Sequence, residues 1–129
     1  MIIFNVDGQP IPQGSMKVIN GHVIHSQGSA LAAWRSAIAL SAKSAGAKPH
    51  VEPVEIELVF TMARPRTVTR SEPSVAPDLD KLIRAVLDAL TAVAYRDDGQ
   101  VTRITATKQY GERPGVSVKV GAKLPKNLA

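Results

Sequence analysis

The segment from Asp78 to about Ala92 most narrows the folds open to this chain, because its apolar residues recur at three- and four-residue steps. At the helical period Leu79, Leu82, Ile83, Val86, Leu87 and Leu90 share one broad face that has to be buried, while Asp80, Lys81, Arg84 and Asp88 gather opposite. A second helix is predicted from Gly28-Ser29 to about Ala45, with Ser29 placed to cap it, Gly46 to stop it, and Leu31, Trp34, Ile38, Ala42 and Ala45 on its packed face. Val54 to Met62 alternates instead: Val54, Ile56 and Leu58 face one way and Glu55 and Glu57 the other, as in a half-buried strand. Ile2 to Val6 reads as a short strand, and Lys17-Val18-Ile19 and His22 to His25 flank Asn20-Gly21, a strong hairpin signal. Gln100 to Lys108 and Val116 to Val120 read as closing strands, with Gly111 to Gly115 turning between them. The order β-ββ-α-β-α-β-β predicts an α+β fold. It is a single two-layer domain, a mixed β-sheet packed against two main helices, over residues 1–122, followed by a frayed tail at 123–129.

At 129 residues the chain has room for one such domain, and a domain of that size buries roughly two-thirds of its unfolded surface without staples. It has no cysteine, which removes disulfides, thiolate nucleophiles, thiolate zinc sites and iron–sulfur clusters, and fits a cytoplasmic location. Met1-Ile2-Ile3-Phe4-Asn5-Val6-Asp7 is short, lacks a basic head and meets an acid too soon for a signal peptide. No run reaches the ~18 apolar residues of a spanning helix, so no membrane partner is expected. Sixteen Lys and Arg against eleven Asp and Glu leave a net charge of +5, which points to a polyanion, nucleic acid ahead of an anionic membrane.

Ala63 to Pro77 holds three prolines and three arginines and no apolar period, a long loop of the kind that usually carries function. Its Arg64, Arg66 and Arg70 are the foremost candidates for phosphate contacts, with Lys17 near the hairpin and Lys108, Lys119 and Lys123 behind them. Each is also explained as a solubilising surface charge. His22, His25 and His50 lack ligand spacing. Trp34 and Phe60 sit on apolar periods and belong to the core; Tyr95 and Tyr110 are able to stack on unpaired bases, but at strand ends they are expected to cover a sheet edge.

The acidic residues are the most informative. Asp78, preceded by Pro77, stands at the cap or first turn of its helix, so Asp78 and Asp80 put two carboxylates at the positive end of the helix dipole. Asp97 and Asp98 open the next strand. An aspartate cap, an Asp80–Arg84 pair and a solvated face account for the helix residues, and a simple acidic turn for Asp97-Asp98. Three carboxylates without His or Cys equally suit hard Mg²⁺ or Mn²⁺, which would act on a phosphodiester that a basic surface supplies. A helix of about fourteen residues spans ~20 Å, and a strand running back under it would leave Asp98 near the helix end, far from Asp78. Tilting of the helix, or a dimer, is needed to join them.

Asp78-Leu79-Asp80-Lys81-Leu82-Ile83-Arg84-Ala85-Val86-Leu87-Asp88-Ala89-Leu90, followed by Asp97-Asp98-Gly99-Gln100-Val101, resembles the RusA family of Holliday junction resolvases of bacteria, prophages and phages. That family pattern is Asp-Leu-Asp-Asn, a basic residue four positions after the second Asp, Asp-Ala-Leu, and then Asp-Asp-x-Gln before a strand. The Pro-x-Pro-x-Gly-Ser run at Pro10 to Ser15 is a further, less specific likeness. The resemblance implies a homodimeric Mg²⁺- or Mn²⁺-dependent endodeoxyribonuclease that makes paired nicks across four-way DNA, leaving 5′-phosphate and 3′-hydroxyl ends. It maps the metal-binding aspartates onto Asp78, Asp80 and Asp98, and flanking acids onto Asp88 and Asp97. Arg84 stands where a catalytic lysine is usual, so a phosphate clamp replaces a proton donor there. Lys81 replaces the usual asparagine and is a candidate supporting charge. Rival readings are a silent DNA-binding module, a nuclease of flaps or forks, a small interaction protein, and a restriction-type nuclease. The last lacks the Asp/Glu-x-Lys that should follow Pro77-Asp78.

Overall fold

A computed structural model describes residues 1–14 and 28–124 in full, and between them the backbone of strands Met16–Ile19 and His22–His25. The elements follow the expected order: β1 (Ile2–Asp7), β2 (Met16–Ile19), β3 (His22–His25), α1 (Gly28–Ser44), β4 (Val54–Met62), α2 (Leu79–Leu90), a 3₁₀ turn (Asp98–Gln100), β5 (Val101–Tyr110) and β6 (Gly115–Gly121). β2 and β3 form the expected antiparallel hairpin; its Asn20-Gly21 turn lies outside the described residues.

The main sheet has the order β1-β6-β4-β5 and is mixed. β4 pairs parallel with β5 and antiparallel with β6, and β6 pairs antiparallel with β1. The two closing strands therefore do not pair with each other. β4 lies between them, and residues 111–114 carry the chain across its end, where the Gly111 N–H donates to the Met62 carbonyl at 3.1 Å. A Cβ on Gly111 would meet Thr61 Cγ2 at 2.6 Å, so any larger residue at the crossing would force the Thr61 side chain to shift.

Alternation puts Phe4, Val6, Val54, Ile56, Leu58, Phe60, Met62, Val116, Val118 and Val120 into one core beneath the helices. Leu31, Trp34, Ile38 and Ala42 of α1 complete it, as their spacing predicts; Ala45 falls past the helix end and is exposed. Ser29 stands inside the first turn of α1 rather than at its cap, because the helix begins at Gly28. Gly46 does stop it, at φ +96°, with its N–H bonded to the Lys43 carbonyl at 3.0 Å.

The buried face of α2 is rotated from the expected one. Leu82, Ala85, Val86, Ala89 and Leu90 are buried, whereas Leu79, Ile83 and Leu87 are only partly covered. α1 packs against α2, and Ala32, Arg35, Ser36 and Ala39 of α1 share a groove with Asp88 and Ala89 of α2, so α1 lies on the side of the small Ala89. The flank bearing Ile83 and Leu87 turns away from α1. α2 ends at Leu90, before the expected Ala92, because Ala92 takes the left-handed conformation at φ +68° and donates to the Tyr95 carbonyl at 2.7 Å.

Tyr95 is fully buried rather than covering a sheet edge. Its hydroxyl donates to the Leu87 carbonyl at 2.7 Å, and burial, with the charges of Asp98 and Asp88 nearby, pushes its phenol well above the ordinary tyrosine range. Past the end of β6 and beside the start of β4, Leu124 is buried and its N–H donates to Glu55 Oε1 at 2.8 Å, while residues 125–129 lie outside the described residues. Among the described residues no helix is long and apolar enough to cross a membrane.

An alanine in the left-handed region carries about 1–2 kcal/mol of strain, partly offset by the entropy a glycine would lose. Ala92→Gly is therefore expected to stabilise the fold by about 0.5–1 kcal/mol, measured as a raised urea midpoint at unchanged m-value.

Candidate active site

β4, α2 and β5 form one strand–helix–strand unit, and its geometry decides where the acidic residues stand. Because β4 and β5 are parallel, α2 must run back against both of them. The basic loop leaves β4 at its carboxyl end, so α2 starts there. Lys108, near the carboxyl end of β5, ties the two together: its Nζ donates to the carbonyls of Val75 and Pro77, each at 2.8 Å. Lys108, expected as a DNA contact, instead holds the backbone directly before Asp78.

Asp78 occupies the N-cap of α2 with extended backbone (φ −69°, ψ 140°), yet its side chain makes no capping hydrogen bond. Among the described residues its carboxylate faces Lys81 Nζ alone, at 3.8 Å. Asp80 is exposed in the first turn, and among the described residues the Asp80–Arg84 pair does not form. Asp78 thus pairs with Lys81 without capping the helix, and Asp80 neither caps it nor pairs with Arg84 among the described residues. Exposed hard oxygen donors at a helix N-terminus fit a cation of the Mg²⁺ type, which takes one or two carboxylates and completes its shell with water and phosphate oxygens.

The polar face of α2 has a partner that the sequence did not reveal. The loop after β1 lies along it: the Gln13 N–H donates to the Lys81 carbonyl at 3.0 Å, and Gln13 Nε2 donates to Asp88 Oδ2. Asp88 is thereby engaged as an anchor for the loop. Gly14 follows at φ +116°, where a Cβ would lie 3.0 Å from Arg84 Nη1. Only the glycine closing the Pro-x-Pro-x-Gly run signals this close passage. Between Gln9–Pro12 and Ala76–Pro77 opens a groove of about 500 Å³ that Asp78 and Lys81 also line.

Asp98 stands elsewhere. It opens the 3₁₀ turn before β5, at the far end of α2, near Asp88 and the buried Tyr95. Asp97 caps this turn, its Oδ1 accepting from the Gly99 N–H at 2.8 Å. Gln100 locks it on both sides: Oε1 accepts from the N–H groups of Arg96 and Asp97, and Nε2 donates to the carbonyls of His50 and Glu52, all at 2.9 Å. Asp-Asp-x-Gln therefore divides into a cap, an exposed acid and a lock. Among the described residues no group of three or more His, Asp or Glu side chains could hold a metal ion within one chain. Asp98 is not brought to Asp78 and Asp80.

The basic loop is organised by Tyr110. Arg70 Nη1 donates to its hydroxyl at 3.0 Å, and the Arg64 guanidinium lies 5.9 Å from its ring centroid. Arg66 is exposed, Lys119 faces Glu57 at 3.9 Å, and Lys123 is exposed past β6. The side chains of Lys17, His22 and His25 lie outside the described residues. His50 is an exposed loop residue whose backbone bridges to Tyr95.

The family model for Endodeoxyribonuclease RusA matches residues 7–121 of the chain. The chain is also similar to the uncharacterized protein YqaN of Bacillus subtilis (strain 168), 28% identical over 134 residues that cover 92% of this chain and 94% of that protein.

If Gln100 is the lock of the turn that presents Asp98, Gln100→Ala should cost about 1–3 kcal/mol. Amide exchange at Arg96 and Asp97 should quicken selectively, read by hydrogen–deuterium exchange.

Proposed function

Because the chain belongs to the RusA family of endodeoxyribonucleases, we propose that it resolves four-way DNA junctions by Mg²⁺- or Mn²⁺-dependent hydrolysis, acting as a homodimer. The observation that carries the metal reading is the pair Asp78 and Asp80. Both are exposed at the positive end of α2, and neither caps it.

Asp78 and Asp80 of one protomer, with Asp98 of a second, make up the proposed ligand set. The strand–helix–strand unit holds Asp98 at the opposite end of α2 from the other two in its own chain. A divalent cation bound there supplies an activated water and neutralises charge on the scissile phosphate. The residues of this chain do the rest. Arg84, beside Gly14 on the exposed face of α2, clamps phosphate oxygens as negative charge builds; a guanidinium suits two-pronged electrostatic stabilisation, not proton transfer. Lys81, on the wall of the groove, adds a second positive charge beside Asp78. Lys108 keeps Asp78 in place through the Pro77 carbonyl. Arg64, Arg66 and Arg70 receive the DNA backbone at the same end of the sheet, two of them held in place by Tyr110. Lys17 extends this contact set from the hairpin. Paired nicks need two sites, and one domain of this size holds one, so the homodimer follows from the reaction.

The test is cleavage of a synthetic four-way junction, a flap, a fork and plain duplex with Mg²⁺ or Mn²⁺. Preference for the junction is expected, and equal cutting of plain duplex would contradict the reading. Asp80→Asn should abolish cleavage while junction binding persists. Arg84→Ala should lower the cleavage rate by about 10²–10³-fold.

A further inference from the structure

Between the basic loop and the carboxyl ends of β4 and β5 lies a pocket of about 200 Å³. Met62, Pro65, Pro73, Val75 and Pro77 give it apolar walls, and Val75 stays 46% exposed there. Its polar groups are Gln9, Arg70, Lys108 and Tyr110, and among the described residues no carboxylate lines it. Lys108 spends two of its three N–H donors on the carbonyls of Val75 and Pro77. Gln9 Oε1 accepts from the Ala63 N–H at 3.5 Å, which leaves the amide nitrogen as a donor. Apolar walls with donors and positive charge, and no acid, suit a flat ligand whose edge accepts hydrogen bonds and whose tether is anionic.

Tyr110 narrows the class further. It is half-buried, and Arg70 holds its hydroxyl at 3.0 Å. A second hollow shares Ala63 and Tyr110 with the pocket and takes in Arg64, whose guanidinium lies 5.9 Å from the ring centroid. The ring is thus fixed by one arginine at its hydroxyl and flanked by another, at the mouth of an apolar cleft. Aromatic rings with cationic neighbours are the platforms on which unpaired bases stack.

We infer that this pocket takes one unpaired nucleobase of branched DNA, its face on Tyr110 and its edge toward Gln9 and Lys108. Arg64, Arg66 and Arg70 hold the phosphates on either side of it. The inference rests on the reading above that branched DNA is the substrate. A base inside a duplex enters only by giving up its stacking and pairing, a cost that is least where the strands already part. The pocket therefore favours a branch over plain duplex, a discrimination that phosphate contacts alone do not make. Gln9, Ala76 and Pro77 line both this pocket and the groove that Asp78 and Lys81 share. The strand carrying the seated base accordingly passes the two acids at the start of α2.

Two labelled single strands of equal length and charge test the pocket, oligothymidylate and an abasic deoxyribose-phosphate strand, with binding read by fluorescence anisotropy without divalent metal. The wild type should bind the base-bearing strand about 5–150-fold more tightly. Tyr110→Leu, with wild-type circular dichroism, should bring the two probes level. Tyr110→Phe keeps the ring and loses the bond to Arg70, and should retain the preference. If Tyr110 serves only to place Arg70, both variants weaken both probes alike, and the pocket is overturned. Photocross-linking of the wild type to a strand containing iodouracil, mapped by mass spectrometry, should label Tyr110 and needs no variant to fold. Equal wild-type affinity for the two probes, or label confined to residues outside the pocket, would overturn it and leave the nuclease reading intact. A Tyr110-dependent preference for the base, in a protein that cuts no branched DNA with Mg²⁺ or Mn²⁺, would uphold the pocket and sink the nuclease reading instead.

Discussion

The parallel pairing of β4 with β5 is the constraint on which the rest depends. Parallel neighbours cannot be joined by a tight turn, so the chain must cross back over the sheet, and α2 is that crossing. Everything carried at the start of α2 then lies at the carboxyl end of the strands, and everything after it at the amino end. Asp78 and Asp80 fall at one end of this unit and Asp98 at the other. This separation is why the proposed ligand set draws on two chains.

Electrostatics follow the same axis. The positive end of the α2 dipole faces the carboxyl end of the strands, where its orphan N–H groups favour negative charge. Asp78 sits there without making a cap, its carboxylate beside Lys81 Nζ and exposed. The surrounding cations are not scattered. Lys108 grips two carbonyls of the basic loop, and Tyr110 gathers Arg64 and Arg70 from that loop. The net charge of +5 thus includes basic residues gathered at the end of the strands where Asp78 and Asp80 stand, the combination that the proposed reaction calls for.

Much of the fold was legible because one face of each element is apolar at its own period. Val54 to Met62 alternates without a break, and the helices repeat at three and four, so their identity and order followed directly. What the sequence could not carry was the placement of neighbours. The link at 111–114 looks like a hairpin turn, yet it spans β4, and nothing local distinguishes the two. The buried face of α2 shifted toward the side where α1 lies beside Ala89, a tertiary decision. In the site, the acids stood out through their motif, but their supports did not. Gln13 reaches Asp88 across the fold from residue 13, and Lys108 reaches Pro77 from the next strand, pairings of high sequence separation that no local pattern encodes. Gln100 was visible in the motif; its role as a lock on residues 50 and 52 was not.

The central claim is that the carboxylates act across a dimer, and mixing two inactive variants tests it most directly. Asp80→Asn and Asp98→Asn are each inactive as homodimers on this account. In a mixed dimer one shared site loses both acids, while the other draws an intact Asp80 from one chain and an intact Asp98 from the other. Allowing the two variants to exchange subunits should therefore restore nicking of a four-way junction, with coordinated paired cleavage still absent. If each site lies within one chain, both sites of the mixed dimer remain defective. Verified subunit exchange without recovered nicking would then contradict the account.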